Sequence, residues 1–123
     1  MNKNKILIEK YPFLKIEKNN YYISWFDIIP SGWRDAFGFE LCDEIAQELS
    51  TWTQEERKNF QILEIKEKFG GLTIYCNNYS NELFTILNKY YKKSMNLCIK
   101  CGKKAAPTNT YLYVPLCVSC NNQ

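Results

Sequence analysis

The amino-acid sequence predicts an α+β fold: a β-hairpin or small antiparallel sheet packed by two amphipathic helices, with a zinc ribbon at the C-terminal end. Three observations lead to this prediction. Apolar residues recur at helical spacing in two segments, two β-rich runs flank a pair of glycines, and four cysteines form two Cys-x-x-Cys pairs. Because the chain has only 123 residues, we expect one compact unit, with an α+β domain over 1–97 and a zinc-ribbon module over 98–123 packed on it.

The two amphipathic helices are predicted from the period of their apolar residues. From Ser31 onward an apolar residue recurs every four positions, which predicts a helix of about 18 residues. A second apolar stripe follows Ser80, a residue type that commonly caps helix N-termini. The two stripes consist of Trp33, Phe37, Leu41, Ile45 and Leu49, and of Leu83, Ile86, Leu87, Tyr90 and Leu97.

Shorter elements are predicted around these helices. A short helix is expected over 2–11, because Pro12 would end or kink it. The run 21–29 is rich in aromatic and β-branched residues, which indicates a strand or an extended segment. Thr53 and Glu56 have the spacing of a capping box, so a helical turn is expected after them.

The strongest strand signal lies in the middle of the chain. The runs 60–65 and 72–76 are rich in β-branched and aromatic residues. Gly70 and Gly71 lie between them and can adopt the positive φ angles that a tight hairpin requires. We therefore predict a β-hairpin whose turn is formed by these two glycines.

The C-terminal cysteines have the spacing C-x2-C-x15-C-x2-C, by which two knuckles supply four thiolates to one tetrahedral zinc ion. Gly102 follows the second cysteine, where a sharp turn favours a residue without Cβ. The segment 111–116 is predicted as a strand that leads into the second knuckle. The predicted ligands of this structural zinc are Cys98, Cys101, Cys117 and Cys120.

Other interpretations of the cysteines remain open at this point. The same four thiolates could form a redox dithiol pair or hold an iron–sulfur cluster. A zinc site with four thiolates has no open coordination position, which favours a scaffolding role over catalysis. Cys42 and Cys76 lie outside the pattern, and we expect both to be small buried apolar residues.

Several classes of function are disfavoured by what the sequence lacks. It contains no histidine, which excludes imidazole-based acid–base catalysis and imidazole metal ligands. No phosphate-binding loop, dinucleotide fingerprint or nucleophile elbow is present, so we expect a protein that is not an enzyme. No apolar run approaches the roughly 20 residues of a membrane span, and the N-terminal residues lack a signal-peptide core. These features predict a cytoplasmic protein without a membrane partner.

Positive charge is concentrated in the C-terminal third. The whole chain has a formal charge of +3, and every residue with a charged side chain beyond position 82 is a lysine. This asymmetry supports one candidate function, nucleic-acid binding through the ribbon. The lysines concerned are Lys89, Lys92, Lys93, Lys100, Lys103 and Lys104.

A small-ligand site is preferred over nucleic-acid binding. Aromatic and basic residues are neighbours at the start of the helix predicted from Ser31 onward, and again in the hairpin. Aromatic planes beside lysine or arginine can stack a base and hold a phosphate. The opposing interpretation is that the aromatics belong to the core and the lysines to a solvated edge. The candidate ligand-binding residues are Trp33, Arg34, Lys66, Lys68, Phe69 and Tyr75.

These segments resemble a family of small phage and prophage proteins with a Gly-Trp helix start, a Lys-Glu-Lys-Phe-Gly-x-Leu-Arg-x-Tyr hairpin and C-terminal cysteine pairs. Here the first two features appear as Gly32 with Trp33 and as the segment 66–75. Thr73 stands where the family usually has arginine, so a basic group is absent at that position. The resemblance implies a phage or mobile-element origin and carries no defined activity.

Small phage proteins without catalytic residues often act by binding, and this sets the functional expectation. We expect non-catalytic sequestration of a nucleotide-type ligand of bacterial immune signalling, that is, a counter-defence factor. The alternatives are a nucleic-acid-binding ribbon and an inhibitor that docks on a host protein. The 19 aromatic residues are also compatible with a homodimer that buries some of them.

Overall fold

The computed structural model describes residues 3–16, 23–107 and 114–121, and it confirms the predicted α+β class. Two small antiparallel sheets are combined with helices. No helix within the described ranges is both long and apolar enough to cross a membrane. The strands are β1 (Lys15–Ile16), β2 (Ile23–Ser24), β3 (Ile62–Lys68) and β4 (Gly71–Cys76). The helices are α1 (Lys3–Lys10), α2 (Trp25–Ile28), α3 (Ser31–Leu49), α4 (Gln54–Asn59), α5 (Asn81–Ser94) and α6 (Val118–Asn121).

Helix α3 forms the centre of the fold, and its 19 residues agree with the predicted length. Its apolar stripe is buried along its whole length, as the periodicity predicted. Helix α5 packs against α3 on one side and against β4 on the other. Ser80 accepts a hydrogen bond from the backbone N–H of Leu83 and so caps α5. The two predicted amphipathic helices therefore enclose the core together with the β3–β4 hairpin.

The β3–β4 hairpin is present, but its turn lies one residue earlier than predicted. Lys68 pairs with Gly71, so the two turn residues are Phe69 and Gly70, with φ angles of 54° and 84°. Two consecutive positive φ angles are typical of the type I′ turn. Gly71 belongs to β4, where an added Cβ would lie 2.5 Å from the ring of Tyr91. The two glycines thus have different roles, one in the turn and one in packing against α5.

The prediction of a strand or extended segment over 21–29 is correct at residues 23–24 and wrong at 25–28. Residues 23–24 form β2, whereas Trp25–Ile28 form the short helix α2. Residues 21–22 lie outside the described ranges. The side chain of Ser24 accepts a hydrogen bond from the backbone N–H of Phe26 at 3.0 Å, which starts the helix at this point. The N-cap overrides the β propensity of the residues that follow it.

Tyr90 connects α5 to α3 through its hydroxyl group. The side chain is only 1% exposed, and its hydroxyl donates to the carboxylates of Glu44 and Glu40. Lys89, which is on α5 like Tyr90, forms an ion pair with Glu44 on α3. Burial raises the pKa of the Glu44 carboxyl, but the hydrogen bonds from Lys89 and Tyr90 outweigh it and hold the pKa below its usual value of 4.5. The ionised carboxylate is therefore the form that the fold stabilises.

A Tyr90→Phe variant is expected to lower the free energy of unfolding by about 2 kcal/mol, because a hydrogen bond to a charged group is lost from a buried position. Urea denaturation at pH 7 measures the change. Since the folded-state pKa of Glu44 lies below 4.5, the Glu44 contribution is complete above that pH. It disappears as the pH falls through the folded-state value.

The matched control is Tyr91→Phe, which removes the same group from a more exposed position, where the hydroxyl donates to the Lys68 carbonyl at 3.2 Å. We expect this control to change stability by less than about 1 kcal/mol. Equal effects of the two changes would contradict the role assigned to Tyr90.

Candidate metal centre and ligand groove

The four predicted cysteine ligands come together in space. Their sulfur atoms all lie within 4.8 Å of one another, and Cys101 Sγ and Cys117 Sγ are 3.5 Å apart. These separations are too long for a disulfide, and all four residues are free cysteines. Sulfurs bound tetrahedrally to zinc at about 2.3 Å would be about 3.8 Å apart. The cluster therefore has the dimensions of a site for one tetrahedral metal ion.

Backbone hydrogen bonds shape the two knuckles. Gly102 has a φ angle of 84°, as expected for a sharp turn, and its N–H donates to the carbonyl of Cys98 at 2.8 Å. In the second knuckle the N–H of Cys120 donates to the sulfur of Cys117 at 3.4 Å. The two knuckles are joined because the N–H of Ile99 donates to the carbonyl of Pro115 at 2.8 Å. Of the strand predicted over 111–116, residues 111–113 lie outside the described ranges, and 114–116 form no regular strand.

The backbone also favours the thiolate form of the two buried sulfurs. Burial by itself raises the pKa of the Cys98 thiol, but hydrogen bonds from the backbone at Cys117, Cys101 and Lys100 lower it to about 6. A backbone hydrogen bond from Cys120 lowers the pKa of Cys117 in the same way. Because the thiolate is the species that ligates metals, these amides favour the ligating form of Cys98 and Cys117. Hydrogen bonds with the sulfurs of Cys117 and Cys98 instead raise the pKa of Cys120 to about 12.

The start of α3 packs directly on the first knuckle. The N–H of Gly32 donates to the carbonyl of Ile99 at 2.8 Å, and the Ser31 hydroxyl donates to the carbonyl of Lys100 at 3.0 Å. The indole N–H of Trp33 donates to the carbonyl of Leu97 at 2.9 Å. An added Cβ at Gly32 would lie only 2.2 Å from the carbonyl oxygen of Cys98. The Gly-Trp pair is therefore a packing element for the cysteine module.

This arrangement corrects the sequence-based assignment of Trp33 as a ligand-binding residue. Trp33 is 0% exposed, so its ring cannot stack on a ligand at the surface and instead fills the core. Arg34 follows it on α3, and its guanidinium donates to the carbonyl of Asp27 at 3.3 Å. Both residues lie at the start of α3, whereas the other candidate residues lie on the hairpin.

The four hairpin candidates form one cluster. The ammonium group of Lys68 donates to the hydroxyl of Tyr75 at 3.1 Å and lies 5.8 Å from the centre of its ring. Lys66 lies 5.6 Å from the same ring and forms an ion pair with Glu64 at 3.0 Å. Phe69, at the tip, is 76% exposed. Aromatic and cationic groups are thus placed side by side at the surface.

A groove of about 740 Å³ begins at this cluster and runs between β4 and α5. We call it the hairpin groove. It contains three aromatic residues that the sequence analysis did not single out as candidates. Phe84 and Tyr91 are seven positions apart on α5, so they lie on the same helix face, and Phe84 is 63% exposed. This spacing of two aromatic residues outside the apolar stripe is the sequence signal from which an aromatic face on α5 could have been predicted. The main lining residues are Lys68, Phe69, Tyr75, Tyr79, Phe84 and Tyr91.

The basic C-terminal third is partly neutralised by α3. Lys89 contacts Glu44, and Lys93 lies 3.5 Å from Glu40. These two lysines therefore contribute little free positive charge to a nucleic-acid surface. The remaining lysines of this group are exposed: Lys92, Lys100, Lys103 and Lys104.

The two cysteines outside the cluster are buried, as predicted. Cys42 lies inside α3 and Cys76 ends β4. Burial raises the pKa of both thiols to about 12. Both therefore stay protonated at neutral pH and pack as small apolar side chains.

Comparisons with protein-family models, with curated proteins and with solved structures find no match to this chain. The fold and the site define its class as an α+β protein with a four-cysteine cluster that could hold a metal ion.

Proposed function

We propose that this protein is a non-catalytic binding protein that contains one structural zinc ion and captures a nucleotide-type ligand in the hairpin groove. The main supporting observation is the cluster of Lys68, Phe69 and Tyr75 at one end of the groove, where a cation and two exposed or half-exposed rings adjoin. Capture without turnover would remove a signalling nucleotide from solution, which is the counter-defence role expected of a small phage protein that acts by binding.

Zinc is the metal proposed for the cysteine cluster, since four thiolates at tetrahedral spacing are the usual ligands of structural zinc. Such an ion would connect the two knuckles and leave no position for a substrate or for water. Its contribution is to hold together the module on which α3 packs. Elemental analysis of the purified protein is expected to give one zinc per chain, whereas an iron–sulfur cluster would give iron and visible absorption.

The hairpin groove has features that suit a nucleotide. Its volume of about 740 Å³ lies within the range of ordinary small-ligand pockets. Phe69, Tyr75 and Phe84 offer ring faces on which a base can stack. Lys68 provides a positive charge for a phosphate. Asn81 and Asn88 also line the groove, and their side-chain amides can hydrogen bond to the edge of a base.

The backbone of Phe69 also indicates a function for its side chain. A φ angle of 54° places this residue in the left-handed region, which costs a residue with a Cβ about 1–2 kcal/mol. Asparagine or glycine would be favoured at this turn position. Because the ring is 76% exposed, packing in the core does not compensate for this strain. Contact with a ligand would account for a phenylalanine at this position.

A Phe69→Asn variant is therefore expected to be more stable than the wild type by about 1 kcal/mol and to bind the ligand more weakly, because asparagine relieves the turn strain but removes a stacking surface. Phe84→Asn is the matched control, since it removes an exposed groove ring from a helical position without turn strain. We expect this control to weaken binding with no gain in stability. Urea denaturation and calorimetric titration measure the two properties, and a destabilised Phe69→Asn variant would contradict the strain argument.

The proposal is tested by calorimetric titration of the zinc-loaded protein with mononucleotides and cyclic dinucleotides of adenine and guanine, and with the corresponding nucleosides. At least one nucleotide is expected to bind, and its nucleoside to bind more weakly because Lys68 has no phosphate to contact. We expect Lys68→Gln to reduce the affinity about tenfold and Tyr75→Leu to reduce it by a similar factor. Absence of binding across the panel would overturn the proposal.

The same experiment separates this function from nucleic-acid binding by the ribbon. Lys103→Gln removes an exposed charge from the ribbon and is expected to leave nucleotide affinity unchanged. If instead the protein bound oligonucleotides with an affinity that fell steeply with salt and depended on Lys103, the ribbon would be the functional surface. Chemical conversion of the nucleotide during incubation would show that the protein is an enzyme and would contradict capture without turnover.

A further inference from the structure

A second cavity, of about 540 Å³, lies between the N-terminal segment, α3 and α4. Its floor is apolar and is formed mainly by Phe13, Leu49 and Phe60. Its rim is basic. The cationic residues at the rim are Lys10, Arg57 and Lys58.

A smaller depression of about 250 Å³ adjoins this cavity. The two share Pro12, Phe13, Lys58 and Phe60, and the second extends to Trp25. We call the two depressions together the trough, and aromatic side chains line both of them. Apolar surface that extends over two adjoining depressions suits a chain-like apolar group better than a compact ring.

The charged residues that line this trough have one sign. None of the described residues that line either depression is acidic. Arg57 uses one N–H group to donate to the carbonyl of Leu49 at 3.4 Å, and its guanidinium has further donors for a ligand. In the part of the chain that the structure describes, Lys58 is exposed and forms no ion pair. An apolar floor below a basic rim is complementary to an apolar molecule with an anionic head.

We propose that this trough binds a single-chain anionic amphiphile of the medium-chain fatty acid type. The acyl chain lies against Phe13 and Phe60, and the carboxylate contacts the cationic groups of Arg57 and Lys58. This site is separate from the hairpin groove and does not depend on the nucleotide proposal, since the two cavities share no lining residue.

The test is calorimetric titration of the zinc-loaded protein with decanoate, octanoate and decyltrimethylammonium. Decanoate is expected to bind about tenfold more tightly than octanoate, because two further methylenes are removed from water. Decyltrimethylammonium has the same chain and the opposite charge, so we expect it not to bind. Equal affinity for decanoate and decyltrimethylammonium would show unspecific apolar adsorption and would overturn the proposal.

Two variants locate the site. Lys58→Gln is expected to weaken decanoate binding two- to fivefold, as is typical of an exposed charge contact. Ala46→Leu adds side-chain volume at the cavity lining without breaking the helix and is expected to abolish binding. Lys92→Gln, on α5, removes an exposed lysine outside the trough and is the control that should bind normally. Unchanged binding in Ala46→Leu would exclude the trough as the site.

Discussion

If the cluster holds the proposed zinc ion, the Cys98→Ser variant is expected to lose that ion and, with it, the ordered structure of the cysteine module. Cys98 is completely buried. Its N–H donates to the carbonyl of Lys103 at 2.6 Å and its carbonyl accepts from Gly102 at 2.8 Å, so it holds the first knuckle in place. Structural zinc contributes about 10–16 kcal/mol to the folding of small modules, and a hydroxyl is a poor replacement for a thiolate ligand.

We expect the zinc affinity of this variant to fall by at least about a hundredfold, because loss of a group that only supports a metal ligand already costs up to that factor. Competition with a chromogenic chelator measures the affinity. The matched control is Cys42→Ser, which makes the same chemical change at a buried cysteine outside the cluster. This control should retain one zinc per chain. Wild-type affinity in Cys98→Ser would contradict the structural role of the cluster.

The Gly32→Ala variant is expected to separate the cysteine module from α3. An added Cβ would lie 2.2 Å from the carbonyl oxygen of Cys98 and 2.6 Å from the backbone N of Gly102. These atoms belong to the backbone and cannot move aside as a side chain can. Because overpacking typically costs 1–3 kcal/mol, we expect a loss of about 3 kcal/mol in the free energy of unfolding, together with faster release of zinc.

Gly38→Ala is the matched control on the same helix. There an added Cβ would meet the ring of Phe26 at 2.8 Å, which is a side chain that can rotate. Alanine also favours the helix by about 1 kcal/mol, so the net change should be small. Urea denaturation and the rate of zinc transfer to a chelator measure both variants. Equal, small effects of Gly32→Ala and Gly38→Ala would mean that stability and zinc retention do not require the contact of Gly32 with the first knuckle.

The parts of the fold that could be predicted from the sequence are those fixed by local spacing. The Cys-x-x-Cys pairs restrict their sulfurs to one side of a tight turn, and the structure brings all four within 4.8 Å of one another. The period of four between Trp33 and Leu49 fixes the buried face of α3. The capping box formed by Thr53 and Glu56 is also present as predicted. Each of these features depends on residues close together in sequence.

The parts that could not be predicted depend on which surfaces meet. Trp33 has a side chain of the kind that stacks on a ligand. Only the packing of α3 on the cysteine module shows that it is buried. Either glycine of the 70–71 pair suits a turn, and the contact of Gly71 with Tyr91 decides the register. Phe84 joins the candidate site only because α5 lies beside β4. Long-range contacts of this kind leave little signal in a single sequence.

The most direct test of the proposed ligand site is chemical-shift mapping of the ¹⁵N-labelled, zinc-loaded protein. The probe is an equimolar mixture of the mononucleotides and cyclic dinucleotides of adenine and guanine. The account predicts that the largest amide shifts occur at Lys68, Phe69 and Tyr75 and in the facing residues of α5. Shifts concentrated between Lys100 and Lys104, or no shifts at all, would contradict it.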